Sequence, residues 1–204
     1  MKTVIVSGDD LSYAADVIKR GGLVAVPTDT VYGLAGNGFD RDAVQRIYDV
    51  KGRPAVKPLI LLISDIRAAQ PCCESIPEPA VRLADAFWPG ALTLVLRKSS
   101  IVPDIVTAGG ETVGVRAPNH PKTLALLRLT GVPLAAPSAN LSDRPSPKSA
   151  QDVLAYFDGK IDCVVDGGDC SLGFESTIVD LTAQPYKIVR HGALPEEEIR
   201  RVLG

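Results

Sequence analysis

Apolar residues recur along the chain in two periods, and the change from one to the other outlines its elements. Residues 3–6 form a short apolar strand. Leu11, Ala14, Ala15 and Ile18 then fall at i, i+3, i+4 and i+7, one face of a helix that Gly21-Gly22 ends. Leu23 to Val26 is a strand stopped by Pro27. Asp40 caps a second helix with Ala43, Val44, Ile47 and Val50 on its apolar face, broken at Gly52 and Pro54. Leu59 to Ile63 has the length and composition of a buried strand. Pro79 opens a third helix through Leu83 and Phe87, closed by Pro89-Gly90. Strands follow at Ala91 to Leu96 and Thr112 to Arg116, then a helix from Pro121 to Gly131 and a short strand at Leu134 to Ala136. Ser149 and Asp152 have the spacing of a capping box ahead of Val153, Leu154 and Phe157. Ile161 to Val165, Thr177 to Leu181 and Tyr186 to Val189 are strand-like. A last helix begins at Pro195, with Glu196-Glu197-Glu198 in its first turn and Arg200-Arg201 near its end, the order the helix dipole favours.

Strands and helices are interspersed without strict alternation, which predicts an α/β domain with a largely mixed sheet. No repeat, low-complexity tract or linker interrupts the pattern. The Pro-rich stretch from Asp143 to Lys148 reads as an ordered loop. At 204 residues and 46% hydrophobic, the chain has enough apolar surface for a core without staples. Its formal net charge is −2. A protein that coats nucleic acid is usually strongly basic, so any anion site here must be local.

Other classes drop out by absence. No run of 18 apolar residues could cross a membrane, and the apolar run at the N-terminus is too short for a signal-peptide core. Cys72 and Cys73 are adjacent, and Cys163 and Cys170 are not spaced as a zinc pair. Reduced thiols and a cytoplasmic location are the expectation. With only His120 and His191, a histidine-rich metal centre is not expected.

Three loops place polar groups beside apolar strands. Pro27-Thr28-Asp29-Thr30-Val31-Tyr32-Gly33-Leu34 follows a strand, at the carboxyl end where α/β folds hold ligands. Lys51-Gly52-Arg53-Pro54-Ala55-Val56-Lys57 sets three cations within seven residues, stiffened by proline. Arginine there suits bidentate phosphate contacts and lysine supplies compact charge. Ser138, Asn140, Arg144 and Ser146 follow the strand at Leu134. Arg116 and Arg190 each stand at a strand's end, and Ser176 follows a glycine-rich turn. Taken singly, each segment also fits a structural turn or a solvated basic loop. The chain has no GxxxxGK[ST], no strand-linked GxGxxG and no G-x-S-x-G, so no P-loop holds a nucleotide and no obvious covalent nucleophile is offered. Arg, Lys, Ser, Thr and Asn suggest positioning and charge stabilisation, the style of phosphoryl and nucleotidyl transfer.

The loops combine into something more specific. Pro27-Thr28-Asp29-Thr30-Val31-Tyr32-Gly33-Leu34, Lys51-x-Arg53, Val115-Arg116-x-Pro118, Ser138-x-Asn140 and Ser176-Thr177-Ile178-Val179-Asp180 occur in one order. From about Leu11 to Arg190 the chain resembles the YrdC-type threonylcarbamoyl-AMP synthases. The resemblance implies one α/β domain over residues 1–204, with a twisted mixed sheet and helices around an open, positively lined cavity. Residues 185–204 would be a short extension of it. Longer relatives add a C-terminal domain, so a chain ending at Gly204 is expected to be the short form. The implied reaction makes threonylcarbamoyl-AMP and pyrophosphate from L-threonine, bicarbonate and ATP, and the product goes to a separate complex that makes threonylcarbamoyladenosine in tRNA. By resemblance, Lys51 and Arg53 would be catalytic. ATP would be held by Lys51, Arg53, Lys57, Ser138, Asn140, Ser146 and Arg190. Threonine would be held by Thr30, Tyr32, Arg116 and Ser176, with Arg116 on its carboxylate. Magnesium would come with ATP, held mainly by phosphates and water, so that no dedicated carboxylate cage is needed and no metal-ligating residue is singled out. The competing reading is an RNA-binding module using the same basic cavity, opposed by the net charge and the 5% aromatic content. A carbamoyl-phosphate enzyme of related fold is the third, weakened by the lack of zinc-binding cysteines.

Overall fold

The computed structural model describes residues 2–7 and 9–204. Their strands are β1 (Val4–Val6), β2 (Val24–Val26), β3 (Gly33–Asn37), β4 (Ile60–Leu62), β5 (Leu92–Arg97), β6 (Thr112–Arg116), β7 (Leu134–Ala135), β8 (Cys163–Val165), β9 (Thr177–Asp180) and β10 (Lys187–Arg190). Their helices are α1 (Ser12–Lys19), α2 (Arg41–Lys51), α3 (Glu78–Phe87), α4 (Pro121–Thr130), α5 (Ala150–Phe157) and α6 (Glu196–Leu203). The strands form one mixed sheet in the order β1-β8-β2-β3-β7-β4-β6-β5-β9-β10. Parallel pairs are β1–β8, β8–β2, β4–β6 and β5–β9, and the others are antiparallel.

The helix ends follow from the local signals. Asp40 Oδ1 accepts from the backbone N–H of Asp42 at 2.9 Å and of Ala43 at 3.3 Å, and Gly52 closes α2 at φ +57°. Ser149 and Asp152 complete both halves of the capping box of α5. Gly131 takes φ +69° after α4. Two elements depart from the sequence pattern. β3 reads Gly-Leu-Ala-Gly-Asn, which propensity assigns to a loop. Its glycine answers a packing need, because a Cβ on Gly36 would stand 3.1 Å from Leu23 and 3.4 Å from Ile47 of α2. A 3₁₀ helix over Arg67–Cys72 also lies outside the periodic pattern, started by Asp65 Oδ1 accepting from Arg67 N and Ala68 N.

Along each central strand, neighbouring residues enter different cores, as the two-residue period of a strand requires. Ala25, Leu34, Leu61, Ala135 and Val164 join the larger cluster, with α2, α3 and α5. Val24, Ala35, Leu62, Leu134 and Cys163 join the smaller one, with α1 and α4. The sheet is therefore covered on both faces, but unevenly. Helix α1 packs on α4 and on β2, β3 and β8. That layer stops short of β6, β5, β9 and β10. Over those strands one face carries Thr93, Val95, Thr112, Gly114, Arg116, Ile178 and Val189, and this face is the floor of an open cavity. The opposite residues of the same strands, Val113, Val115, Leu94 and Val179, are wholly buried. Residues 187–203 belong to this body: β10 pairs with β9, and α6 packs on α3 through the buried Ile199.

The four cysteines are free thiols. Burial pushes Cys72 and Cys163 up to about 12 and Cys73 to about 11, which leaves them protonated and poor nucleophiles. Among the described residues, no helix is long and apolar enough to cross a membrane.

Candidate active site

The cavity has a volume of about 480 Å³. Its walls bring together Arg53, Lys57, Arg116 and Arg190 with one carboxylate, Glu175. These come from the α2–β4 loop, the ends of β6 and β10, and the segment before β9.

Arg116 is 3% exposed. Its Nη2 donates to Asp29 Oδ1 at 2.6 Å, its Nη1 to Thr30 Oγ1 at 2.8 Å and its Nε to the Gly90 carbonyl at 2.9 Å. Asp29, 7% exposed, also accepts from Asn119 N. Burial works to lower the Arg116 pKa, and the Asp29 carboxylate opposes it. A guanidinium has five N–H donors, so three bonds leave two for an incoming anion. The turn that presents Asp29 and Thr30 is built by Thr28: its Oγ1 accepts from Thr30 N and Val31 N, both at 3.1 Å, and donates to the Val31 carbonyl at 2.6 Å.

Tyr32 is wholly buried in the lining. Its hydroxyl donates to the Gly168 carbonyl at 2.8 Å and accepts from Gly167 N at 3.1 Å. Burial, which outweighs the Gly167 contact, pushes it up to about 12. It therefore ties the 166–169 turn to the wall as a neutral group.

Across the cavity, Arg190 grips the strand before it. Nε donates to the Ser176 carbonyl at 3.0 Å, Nη2 to Ser176 Oγ at 3.1 Å, and Nη1 pairs with Glu175 Oε2. Ser176 Oγ also shares a 2.8 Å hydrogen bond with Thr93 Oγ1.

The third corner is a strap. Lys51, the last residue of α2, is 2% exposed. Its Nζ donates to the carbonyls of Ser138 and Asn140, the latter at 2.5 Å, and lies 3.4 Å from Asn140 Oδ1. An ammonium has three donors, and three oxygens meet it. Burial first, then the Arg53 guanidinium, push its pKa down to about 7, with Glu175 pulling the other way. Asn140 continues the network, accepting from Ser138 Oγ and donating to the Arg144 carbonyl, both at 2.5 Å. Arg53 curls over its own loop, donating to the carbonyls of Lys57 at 3.2 Å and Pro58 at 2.9 Å. Among the described residues it has no carboxylate partner. Lys57 lies 3.3 Å from the exposed Asp143.

Of the residues singled out in the sequence, Thr30, Tyr32, Arg53, Lys57, Arg116, Ser138, Ser176 and Arg190 line this cavity. Lys51 and Asn140 stand behind its wall, as the network that holds the 138–144 loop. Ser146 lines a separate, smaller hollow beside Tyr156, and Arg144 is exposed outside the cavity. The expected excess of positive charge is largely countered by pairing, since Arg116, Arg190 and Lys57 each have a carboxylate partner. Sequence reasoning missed Thr93, Glu175 and the role of Asp29. Two signals pointed there: a lone polar residue inside the apolar run Leu-Thr-Leu-Val-Leu, and a carboxylate next to Ser176.

A mixed α/β domain with an open cleft on one sheet face is the class that this geometry defines. The model of the Sua5/YciO/YrdC family, described as telomere recombination, matches residues 16–192, and the chain belongs to that family. A threonylcarbamoyl-AMP synthase of Pyrococcus abyssi is 51% identical over 191 residues, covering 94% of this chain and 56% of that protein. The Bacillus subtilis synthase is 45% identical over 195 residues, covering 95% and 56%. The structure of P. abyssi Sua5 complexed with L-threonine matches at a TM-score of 0.96 and 48% identity, over 100% of this chain and 61% of that one. Escherichia coli YciO shares the fold, with a TM-score of 0.84 at 24% identity over 97% and 98% of the two chains. The chain spans little more than half the length of these two synthases and of the one from Schizosaccharomyces pombe, and 88% of the putative synthase of Mycobacterium tuberculosis.

Proposed function

We propose that this chain makes threonylcarbamoyl-AMP and pyrophosphate from L-threonine, bicarbonate and ATP. The observation that carries this reading is the buried Arg116, fixed by Asp29 and Thr30 on the cavity floor with two N–H groups to spare, in a family with a member structure bound to L-threonine. In this reading Arg116 pairs with the threonine carboxylate, with Thr30 and Ser176 beside it. The amine takes up bicarbonate and releases water, giving a carbamate. A carbamate oxygen then attacks the α-phosphorus of ATP, and the bond to pyrophosphate breaks.

Both reactants are anions, and their repulsion in a low-dielectric cleft would be several kcal/mol without cations between them. Arg53, Lys57 and Arg190 supply that charge on the walls, and Ser138 faces the nucleotide from a loop that Lys51 secures. Among the described residues, no group of three or more His, Cys, Asp or Glu could hold a metal. Glu175 is the one wall carboxylate and is paired with Arg190. That donor set fits magnesium carried in on the triphosphate. A concave cavity of about 480 Å³ favours small anions over an RNA duplex. A separate complex that modifies tRNA is the proposed acceptor of the reactive adenylate, and the cytoplasm the proposed place.

The purified protein with magnesium should form pyrophosphate and the AMP adduct only when ATP, threonine and bicarbonate are all present. Pyrophosphate release indifferent to threonine, or RNA binding that survives moderate salt without any turnover, would overturn the reading. Within it, Arg53→Ala should lower turnover at least tenfold with an unchanged melting temperature. The fold leans little on this side chain, whose partners are two carbonyls of its own loop and the nearby Tyr48 hydroxyl near the end of α2. A wild-type rate would remove Arg53 from the site.

A further inference from the structure

An amino acid enters as a zwitterion, and a cavity walled by guanidinium groups answers only half of it. The carboxylate has Arg116. The ammonium needs an acceptor, and most of the wall's oxygens are spoken for. Thr28 Oγ1 closes its own turn, and Thr30 Oγ1 takes Arg116. Ser176 Oγ and Thr93 Oγ1 bond each other. Asp29 is buried against Arg116 and does not line the cavity. Glu175 is the remaining anion. One of its oxygens, Oε2, pairs with Arg190, and Oε1 has no hydrogen-bond partner among the described residues. Its side chain is 45% exposed, so the free oxygen is reachable.

Its position is also right. Arg190 holds Glu175 with Nη1 and Ser176 with Nε and Nη2, so one guanidinium sets the carboxylate beside the serine hydroxyl. Arg190 is near enough to Arg116 to act on its pKa, and Glu175 near enough to Lys51 and Arg53 to act on theirs. Glu175 thus lines the same cavity as the carboxylate-binding arginine and the cations of the α2–β4 loop, so an amine held by it is open to a triphosphate on that loop.

We propose that Glu175 is the ammonium anchor of the amino-acid subsite, accepting from the α-amino group of threonine while Arg116 holds the carboxylate. This rests on the threonine reading above. Glu175 fixes which end of the substrate faces the nucleotide, and it gives the protonated amine a partner until it loses its proton to solvent and meets bicarbonate. Arg190 is the positioning residue for Glu175. A nucleotide phosphate competing for Arg190 would leave the carboxylate free for the ammonium, so the two substrates should help each other bind.

The test compares L-threonine with (2S,3R)-2,3-dihydroxybutyrate, which keeps the carboxylate and side chain and lacks the amine. Calorimetry on the wild-type chain should give at least tenfold tighter binding of threonine. Glu175→Gln should lose at least tenfold in threonine affinity and hardly any for the hydroxy acid, with ATP bound as well as before or better. Glu175→Asp should regain part of the loss. Equal losses for both ligands, or a loss for ATP alone, would mean that Glu175 only orients Arg190, and an unchanged threonine affinity would remove it from the subsite. If the wild-type chain binds no threonine at all, the function reading fails before this one is reached.

Discussion

Arg116→Ala should lower stability by about 3 to 5 kcal/mol, the scale for removing one partner of a buried ion pair. The cause is what it leaves behind. Asp29 is 7% exposed, and its partners besides Arg116 reduce to one backbone N–H. The carboxylate would have to stay charged in a near-dry wall or take up a proton. For a chain of this size the melting temperature should fall by roughly 10 °C. Threonine-dependent turnover should vanish. Two companions separate the causes. Arg116→Ala combined with Asp29→Ala should recover much of the stability and none of the activity, because the stranded charge is gone but the carboxylate clamp is still missing. Arg116→Lys should fold better than the alanine variant yet turn over poorly, since an ammonium cannot reproduce the fork that meets Asp29 and Thr30 together. Turnover near wild type in the double variant would overturn the assignment of Arg116 to the substrate.

Lys51→Met carries the second large effect. Methionine keeps most of the stem and deletes the ammonium, leaving the carbonyls of Ser138 and Asn140 without their donor. Two unsatisfied buried acceptors place the loss near about 3 kcal/mol. Turnover should fall by about a hundredfold, because a loop shifted by about 1 Å misplaces Ser138 against the nucleotide. The variant also carries a pH signature. In the empty cavity the Lys51 pKa lies at about 7, held down by burial and then by Arg53. Below that pH the group is charged with or without ATP and contributes no pH dependence. Above it the free protein has lost the proton, and polyphosphate binding must restore it. ATP affinity should therefore fall as pH rises from 8 to 9.5, by at most about tenfold per unit for one proton. In Lys51→Met that slope should flatten. Equal slopes in the two proteins would remove Lys51 as the source.

How much of this was legible in the chain can be followed residue by residue. The capping residues Asp40 and Ser149, the glycine stops at 52 and 131 and the strand over Thr112–Arg116 stand where local signals put them, because each depends on a few neighbouring backbone groups. β3 did not, since its glycines and alanine carry no strand propensity and are chosen by what packs over them. The loops that flank the site were visible as clusters of charge and hydroxyl. Their inner roles were not. Lys51 and Arg53 look alike in a sequence, yet one is enclosed as a strap and the other curls over an exposed loop.

The sequence by itself determined the α/β class, the helix limits and the identity of the site loops, since periodicity, caps and motif order are local properties of the chain. The tertiary structure alone decided which face of the sheet stays open. Helices α1 and α4 cover only part of that face, and the alternation along β5, β6 and β9 then turns Thr93, Gly114, Arg116 and Ile178 into a cavity floor. It also decided the charge of the site. Partners far apart in the chain, Asp29 with Arg116 and Lys51 with the carbonyls of Ser138 and Asn140, meet only when strands fix them, and burial then sets which cations are spent on structure and which are left for a substrate.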